Sequence, residues 1–299
     1  MVSDDLYEEI RRFKVKPGTK VDLKNYDTDY EGKTISKKEG EALLEEGRKH
    51  LSEMQDKLYA HNRYSVLIIL QAMDAAGKDG AVKHILSGVN PLGVKIHSFK
   101  TPTAHELDHD FLWRHALTVP GRGEMGIHNR SHYENVLVTR VHPEYILKEH
   151  IPGINTVEDI TDDFWESRFK QINRFEKNLA KNGTIILKFF LYLSKKEQRK
   201  RLLSRIDDPA KNWKFELGDL RERGYWNEYH RAYEEAISAT STKYAPWFIV
   251  PADDKWFTRL ATASIIYREL GSLDIDYPTV SKQQKKELLE AREQLMNGD

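Results

Sequence analysis

Seven consecutive residues, Tyr64-Ser-Val-Leu-Ile-Ile-Leu70, are almost wholly apolar and favour β structure. Such a run marks a strand buried on both faces, which a parallel sheet provides. It leads into a turn of small residues, Ala72 to Gly77, and then into Lys78-Asp-Gly-Ala-Val-Lys-His-Ile-Leu86, which reads as a helix. Strand, tight turn and helix, with Gly-Lys at the helix start, form the setting that a phosphate-binding loop requires. The backbone N–H groups of the turn and the helix dipole face an anion together, and the lysine adds a point charge. Two positions depart from G-x-x-x-x-G-K-[ST]: Ala72 stands where the first Gly belongs, and Asp79 where the Ser/Thr belongs. The plainer alternative is a βα corner of an ordinary α/β domain.

Length and charge set wide limits on the rest. A chain of 299 residues can bury one large core or two smaller ones. Lys+Arg and Asp+Glu are both 47, so net charge selects no partner and a polyanion site must come from local clustering. The chain has no cysteine, hence no disulfide framework and no thiolate chemistry, which fits a reducing compartment. Its start, Met1-Val-Ser-Asp-Asp, is polar, and no apolar run approaches the roughly 18 residues of a membrane span. The expectation is a soluble, cytoplasmic protein with neither signal peptide nor membrane segment.

Residues 1–35 are polar and broken by Pro17, Gly18 and Gly32, and read as an arm laid over the domain or a partner subunit. Ser36 with Glu39 forms a capping box that opens a helix to His61, carried by Leu43, Leu44, Leu51, Met54, Leu58 and Tyr59. Val94–Lys100 alternates as a second strand, and Thr103 caps a helix expected over Ala104–Leu117. That helix holds His105-Glu-Leu-Asp-His109, a literal H-E-x-x-H. Two His four apart share a helix face and can bind zinc. With Asp108 in the middle and no clear third ligand after it, a polar helix face is the better reading. Val119–Glu124 is a turn with Arg122 at its tip, and Met125–Arg130 is a short third strand. In phosphate-loop proteins a later strand commonly ends in an acidic residue that holds the metal. Here that end carries Asn129 beside Arg130; His128 and His132 read as structural. Thr161 caps a helix to Lys181 with Phe164, Trp165, Phe169, Ile172 and Phe175 inward, and Asn182-Gly183 stops it. Thr184–Leu193 is a further buried strand, which makes a βα crossover topology secure.

A basic run follows. Ser194 caps a helix bearing Lys195, Lys196, Arg199, Lys200, Arg201 and Arg205, and Lys211 and Lys214 lie beyond a proline break. From Lys181 to Lys214 there are ten Lys/Arg against three Asp/Glu, an excess of about +7 in a neutral chain. A solvated basic face is the default for such a run. Its place after the strand, and the irregular Asn212-Trp-Lys-Phe-Glu216 that ends it, suit a lid closing over a ligand instead. A helix over Arg221–Ala239, a strand over Ala245–Pro251, a closing helix to Leu270 and a surface helix over Ser281–Met296 complete the chain. The organisation read from this is one α/β domain over 1–299: arm and helix at 1–61, lid at about 200–227, C-terminal helix in 272–299.

Taken together, several runs resemble the polyphosphate kinase 2 family, and within it the group that accepts AMP as well as ADP. They are Asp74-Ala-Ala-Gly-Lys-Asp-Gly80, Ser87-Gly-Val-Asn-Pro91, Glu106-Leu-Asp-His-Asp-Phe-Leu-Trp-Arg114 and Asn129-Arg-Ser-His-Tyr-Glu134, with Asn212-Trp-Lys214 and Ala245-Pro-Trp247 adding to them. The likeness spans residues 20–270. It implies a P-loop kinase fold, a parallel sheet flanked by helices with a helical lid, and Mg²⁺-dependent phosphoryl transfer between polyphosphate and nucleotides, with Mn²⁺ as a substitute. By the same resemblance Asp74 organises the metal and acts with Lys78, Asn129 and Arg130. Ala75, Ala76, Gly77, Asp79 and Gly80 form the cradle, and Arg122 and Glu134 join the phosphate- and nucleotide-binding set. Lys78, Arg130, Arg201, Arg205, Lys211 and Lys214 line the path of polyphosphate. Asn129 replaces the Walker-B-like Asp of many members, a departure typical of the AMP-accepting group that leaves the second metal ligand open. The implied partners are inorganic polyphosphate and adenine nucleotides, with guanine nucleotides left open, in a homo-oligomer without nucleic acid or membrane. Two other classes stay in play: an ATP-dependent nucleotide kinase, for which the basic track has no job, and a non-catalytic polyanion binder, for which the loop and Asp74 have none.

Overall fold

The computed structural model describes residues 4–30 and 34–298. Five strands, β1 (Ser65–Gln71), β2 (Val94–Ser98), β3 (Met125–Asn129), β4 (Thr184–Tyr192) and β5 (Trp247–Pro251), form one sheet in the order β2-β3-β1-β4-β5. Every pairing is parallel, and Leu70 faces Asn129 on one side and Phe189 on the other. The apolar run thus supplies the central strand: all seven residues of β1 are buried, and Tyr64 just ahead of it is half-buried.

The helices are α1 (Asp4–Arg11), α2 (Lys37–His61), α3 (Lys78–Ile85), α4 (Ala104–Leu107), α5 (Trp113–Ala116), α6 (Glu134–Val141), α7 (Asp162–Lys181), α8 (Lys195–Asp207), α9 (Leu217–Glu222), α10 (Trp226–Thr240), α11 (Lys255–Gly271) and α12 (Lys282–Asn297). Side chains alternate across a strand, so each face of the sheet carries its own core. Val66, Ile68 and Leu70 of β1 pack with Leu51 and Leu58 of α2, Val82 of α3 and Phe257 of α11. Leu67 and Ile69 pack on the other side with Val136 of α6, Ile172 of α7 and Tyr233 and Ile237 of α10. Each such side chain contributes about 1.5–3 kcal/mol relative to exposure.

The N-terminal segment lies over its own domain. Phe13, Val15, Val21 and Leu23 are buried, and Val15 N donates to Trp247 O at 2.8 Å while Ile249 N donates to Phe13 O at 2.9 Å. The arm therefore covers the free edge of β5, which would otherwise offer unpaired backbone groups. Gly32, one of the expected breaks, lies outside the described residues.

Several expected boundaries move. The helix expected over Ala104–Leu117 is two separate turns, α4 and α5, because Asp110 accepts the Leu112 N–H at 2.9 Å and draws the backbone into an Asx turn. The helix expected from Arg221 starts at Trp226, after α9 and a 3₁₀ turn over Arg223–Tyr225. Ser36 and Glu39 do form the capping box of α2, whereas Thr161 sits at the start of α7 without a side-chain cap bond.

Candidate active site

In a parallel sheet flanked by helices, loops at the carboxyl ends of the strands form the crevice for ligands. The loop from Ala72 to Gly77 occupies that position between β1 and α3. Gly77, at φ +102, and Ala75, at φ +62, take left-handed backbone, which folds the chain tightly enough to turn its N–H groups inward. Arg130, at the end of β3, is also left-handed at φ +62. A non-glycine residue held there costs about 1–3 kcal/mol, and such strain collects at functional sites.

Lys78 folds back over the loop, its Nζ donating to Ala72 O at 2.7 Å. Burial, reinforced by the Arg130 guanidinium, holds its pKa below the usual lysine range, against the pull of Asp74, Glu134 and Asp79. Arg130 Nη2 pairs with Asp74 Oδ1 at 3.3 Å. Glu134, at the start of α6, is pushed above the ordinary carboxylate range by burial, with Arg130 and Lys78 pulling the other way. Asn129 Nδ2 donates to Asp79 Oδ1 at 2.7 Å. The structure therefore gathers Asp74, Lys78, Asp79, Asn129, Arg130 and Glu134 at one end of the sheet, around the loop formed by Ala75, Ala76, Gly77 and Gly80.

Arg122 is elsewhere. Its turn precedes β3, and the neighbouring Gly123 N donates to Tyr64 O, the residue just ahead of β1, at 2.7 Å. That is the amino-terminal end of the sheet, roughly 16 Å of strand away from Asn129. Arg122, which the family resemblance assigned to the phosphate- and nucleotide-binding set, does not join the cluster, because its turn precedes β3 in a parallel sheet.

Arg201 also departs from expectation. It is 7% exposed and spends its donors on the protein. Nη1 donates to Ala75 O and Ala76 O at 3.2 and 2.8 Å, and Nη2 to Ala252 O and Asp253 O at 2.7 and 2.8 Å. Nε donates to Glu197 Oε1 at 3.0 Å, and Gln198 Nε2 holds Asp74 O at 3.0 Å. Helix α8 thus grips the phosphate loop from behind, and Arg201 is a clamp on that loop rather than part of an exposed track. Arg205 ties the lid together, with Nη1 donating to Lys214 O at 3.2 Å and Asp219 Oδ2 at 3.0 Å. Lys211 pairs with Asp208 at 2.5 Å, and Lys214 lies 4.9 Å over the ring of the exposed Trp213.

The lone H-E-x-x-H is locally engaged: His109 Nδ1 meets His105 O at 2.8 Å, and its ring stacks on Trp113 at 3.9 Å. Among the described residues no three His, Asp or Glu converge to hold a metal. A Mg²⁺ held by one or two carboxylates, substrate phosphates and waters needs no such group. The oxygen-only donors at the loop, Asp74 and Asp79, together with the amide oxygen of Asn129, which has no partner among the described residues, fit that cation.

Two features escaped the sequence reading. Tyr229 and Tyr233, one turn apart on α10, are buried within electrostatic reach of Glu134: burial raises their pKa values, and that carboxylate adds to the rise. Lys188, inside the most apolar strand, is fully buried and donates to Glu176 Oε2 at 2.6 Å, Tyr133 OH at 2.8 Å and Thr240 O at 2.8 Å. Tyr133 OH in turn donates to Glu176 Oε1 at 2.7 Å, which fastens the segment after Arg130 to α7 and β4.

Comparison with known proteins agrees with this arrangement. The family model described as Polyphosphate kinase 2 (PPK2) matches residues 34–278. An ADP-polyphosphate phosphotransferase of Rhodopseudomonas palustris is 48% identical over 286 residues, covering 96% of this chain and 98% of that protein. An AMP/ADP-polyphosphate phosphotransferase of Meiothermus ruber is 42% identical, over 94% of this chain and 100% of its own length. The crystal structure of polyphosphate kinase 2 from Arthrobacter aurescens TC1 superposes with a TM-score of 0.83 at 39% identity, over 94% of this chain and 95% of that one. With a phosphate loop at the carboxyl end of a parallel sheet, a helix that grips that loop and relatives matched end to end, the chain belongs to the polyphosphate kinase 2 family.

Proposed function

We propose that this protein is a polyphosphate:nucleotide phosphotransferase that moves a terminal phosphoryl group between inorganic polyphosphate and AMP or ADP, giving ADP or ATP, reversibly and with Mg²⁺. The observation that carries the reading is the meeting of Lys78, Asp74 and Arg130 at the phosphate loop. Phosphoryl transfer asks little covalent chemistry of a protein; it asks for in-line positioning and for neutral surroundings as charge spreads over the migrating group. Lys78, whose ammonium donates to a loop carbonyl, is placed to swing onto a phosphate oxygen. Arg130 has 43% of its side chain open and can bridge Asp74 and a phosphate at once. Asp74 and Asp79 would hold Mg²⁺, or Mn²⁺ in its place, which when bound supplies charge neutralisation for the phosphates. Ala75, Ala76, Gly77 and Gly80 offer backbone, and Glu134 lies within electrostatic reach of both Lys78 and Arg130.

Arg205, Lys211 and Lys214 remain the lid residues assigned to polyphosphate, a polymer with about one charge per phosphate that needs a row of cations where a nucleotide needs a pocket. Guanine nucleotides as further acceptors, a homo-oligomer and a cytoplasmic location belong to the same reading. The last is supported by the absence of cysteine, and no described helix is long and apolar enough to cross a membrane. The test is direct. ADP with polyphosphate and Mg²⁺ should yield ATP, and AMP should yield ADP, each without added ATP; no product from either acceptor overturns the proposal.

A further inference from the structure

In loops of the G-x-x-x-x-G-K-[ST] kind the residue after the lysine offers a hydroxyl to the metal, and a later strand end offers a carboxylate. This chain alters both positions, with Asp79 after Lys78 and Asn129 at the end of β3. Each change alone looks like a loss: a bulkier group where a hydroxyl serves, a neutral one where charge serves. In the fold the two residues touch. Asn129 Nδ2 donates to Asp79 Oδ1 at 2.7 Å, and reaches Ser98 Oγ at 3.4 Å. Asn129 is 9% exposed, and its Oδ1 is buried without a hydrogen-bond partner among the described residues.

A buried acceptor left unpaired costs about 1–3 kcal/mol. A hard cation, or water held by one, is the kind of partner that removes that cost, since Mg²⁺ takes oxygen ligands and keeps several of its waters. The location also favours the exchange. Asp79 lies in the first turn of α3, where the helix dipole stabilises a negative charge. The bond to Asn129 engages Oδ1 of Asp79, a residue that is otherwise exposed and open to a ligand.

We propose that the second metal-facing carboxylate of this site has moved from the strand end to the helix start: Asp79 supplies the charge, while Asn129 orients it and turns its own Oδ1 toward the same hydrated cation. The pair keeps one negative charge in total; only its position changes. Asp79 is then a direct or water-bridged metal contact, and Asn129 acts partly through it. The assignment rests on the phosphotransferase reading above.

The probe is ADP titrated calorimetrically with and without Mn²⁺, because the ratio of the two affinities isolates the protein's hold on the metal. Asp79→Asn should lower that ratio by about tenfold or more, as losing a group that supports a metal does, and the loss should lie in the Mn²⁺-dependent affinity rather than in a gain of metal-free affinity. Asn129→Ala changes no charge and should lower the ratio by less. The exchange Asp79→Ser with Asn129→Asp, which returns each position to the commoner arrangement, should recover most of the loss. Circular dichroism of each variant separates a folding failure from a binding one, and Asn129→Ala still decides the point if Asp79→Asn does not fold. A wild-type ratio in Asp79→Asn or Asn129→Ala overturns the proposal, as does an exchange variant no better than Asp79→Asn. A wild-type protein that makes no ATP from ADP and polyphosphate overturns the functional reading instead, and leaves the Mn²⁺ ratios to be judged by themselves.

Discussion

Two lysines, the half-buried Lys78 and the fully buried Lys188, have surroundings that give them opposite uses. Lys188 has three acceptors within 2.8 Å, one of them the buried Glu176 carboxylate, so its charge is consumed inside the protein. Replacing it with Met strands that carboxylate, and breaking such a pair costs about 3–5 kcal/mol. Urea denaturation of Lys188→Met should show that loss, and the double variant Lys188→Met/Glu176→Met should regain most of it. Equal stabilities for single and double variants would mean that the pair is not coupled. The Lys78 ammonium donates to the neutral Ala72 carbonyl, so its charge is available for a substrate. Lys78→Ala should keep the fold and lower turnover by about 10²–10³, the scale of losing one electrostatic contact in a transition state. More than a tenth of wild-type turnover at saturating substrate would remove Lys78 from the mechanism. The sequence distinguished these two unequally. Gly77-Lys78 announced itself through the flanking strand and turn, while Lys188 was hidden in an apolar strand whose partner on α7 is set only by packing.

At the scale of elements, strands and caps were legible because they depend on neighbours in sequence. The ends of α4 and α5 were not, since the Asp110 turn competes with a helix by a single side-chain bond. The direction of β3 was legible, and it puts Asn129 at the site and Arg122 at the far end, against the assignment of Arg122 that the family resemblance implied. The lid was visible as an excess of charge, but its inner face was not: Arg201 reads like its neighbours and is the loop's clamp. Arg201→Lys should behave nearly as badly as Arg201→Ala, because one ammonium cannot span four carbonyls as a planar guanidinium does. Both variants should lower kcat with either substrate; a lysine variant at wild-type kcat would show that charge alone suffices. Lys211→Ala/Lys214→Ala should act differently. It should raise the KM for long polyphosphate and flatten its dependence on salt, since fewer counterions are displaced, and leave the KM for ADP almost unmoved. If the ADP constant rises and polyphosphate is untouched, these residues serve the nucleotide.

Across the whole molecule, the ground beneath the site is a nest of neutral imidazoles. His115, His128 and His132 are each at most 1% exposed, with ring centroids 6.2 Å apart for the first pair and 5.8 Å for His115 and His132. Neither ring nitrogen of His115 has a hydrogen-bond partner among the described residues. Burial pushes all three pKa values down, His128 to about 3, with the neighbouring imidazoles adding to the effect at His115. The unfolded chain titrates near 6.5. Folded pKa values below unfolded ones mean that the unfolded state binds more protons once the pH drops under about 6.5. The stability these residues allow is therefore full above that pH and falls as acid is added, for His128 down to about 3. Each group contributes a slope of up to about 1.4 kcal/mol per pH unit. Glu176, whose folded pKa is lowered chiefly by Lys188 against the opposing effect of burial, loses stability in the same direction at lower pH. Glu134 and Asp219 oppose it, because burial raises theirs, Asp219 to about 6. Thermal melts from pH 7.5 to 4.5 should show Tm falling from just below neutrality, before ordinary carboxylates titrate. His115→Phe isolates the cause: the ring already lies 4.2 Å from Phe99 and would lose no hydrogen bond. That variant should match or exceed wild-type Tm at pH 7.5 and lose less of it at pH 5. An unchanged acid slope in His115→Phe would place the sensitivity among the carboxylates instead.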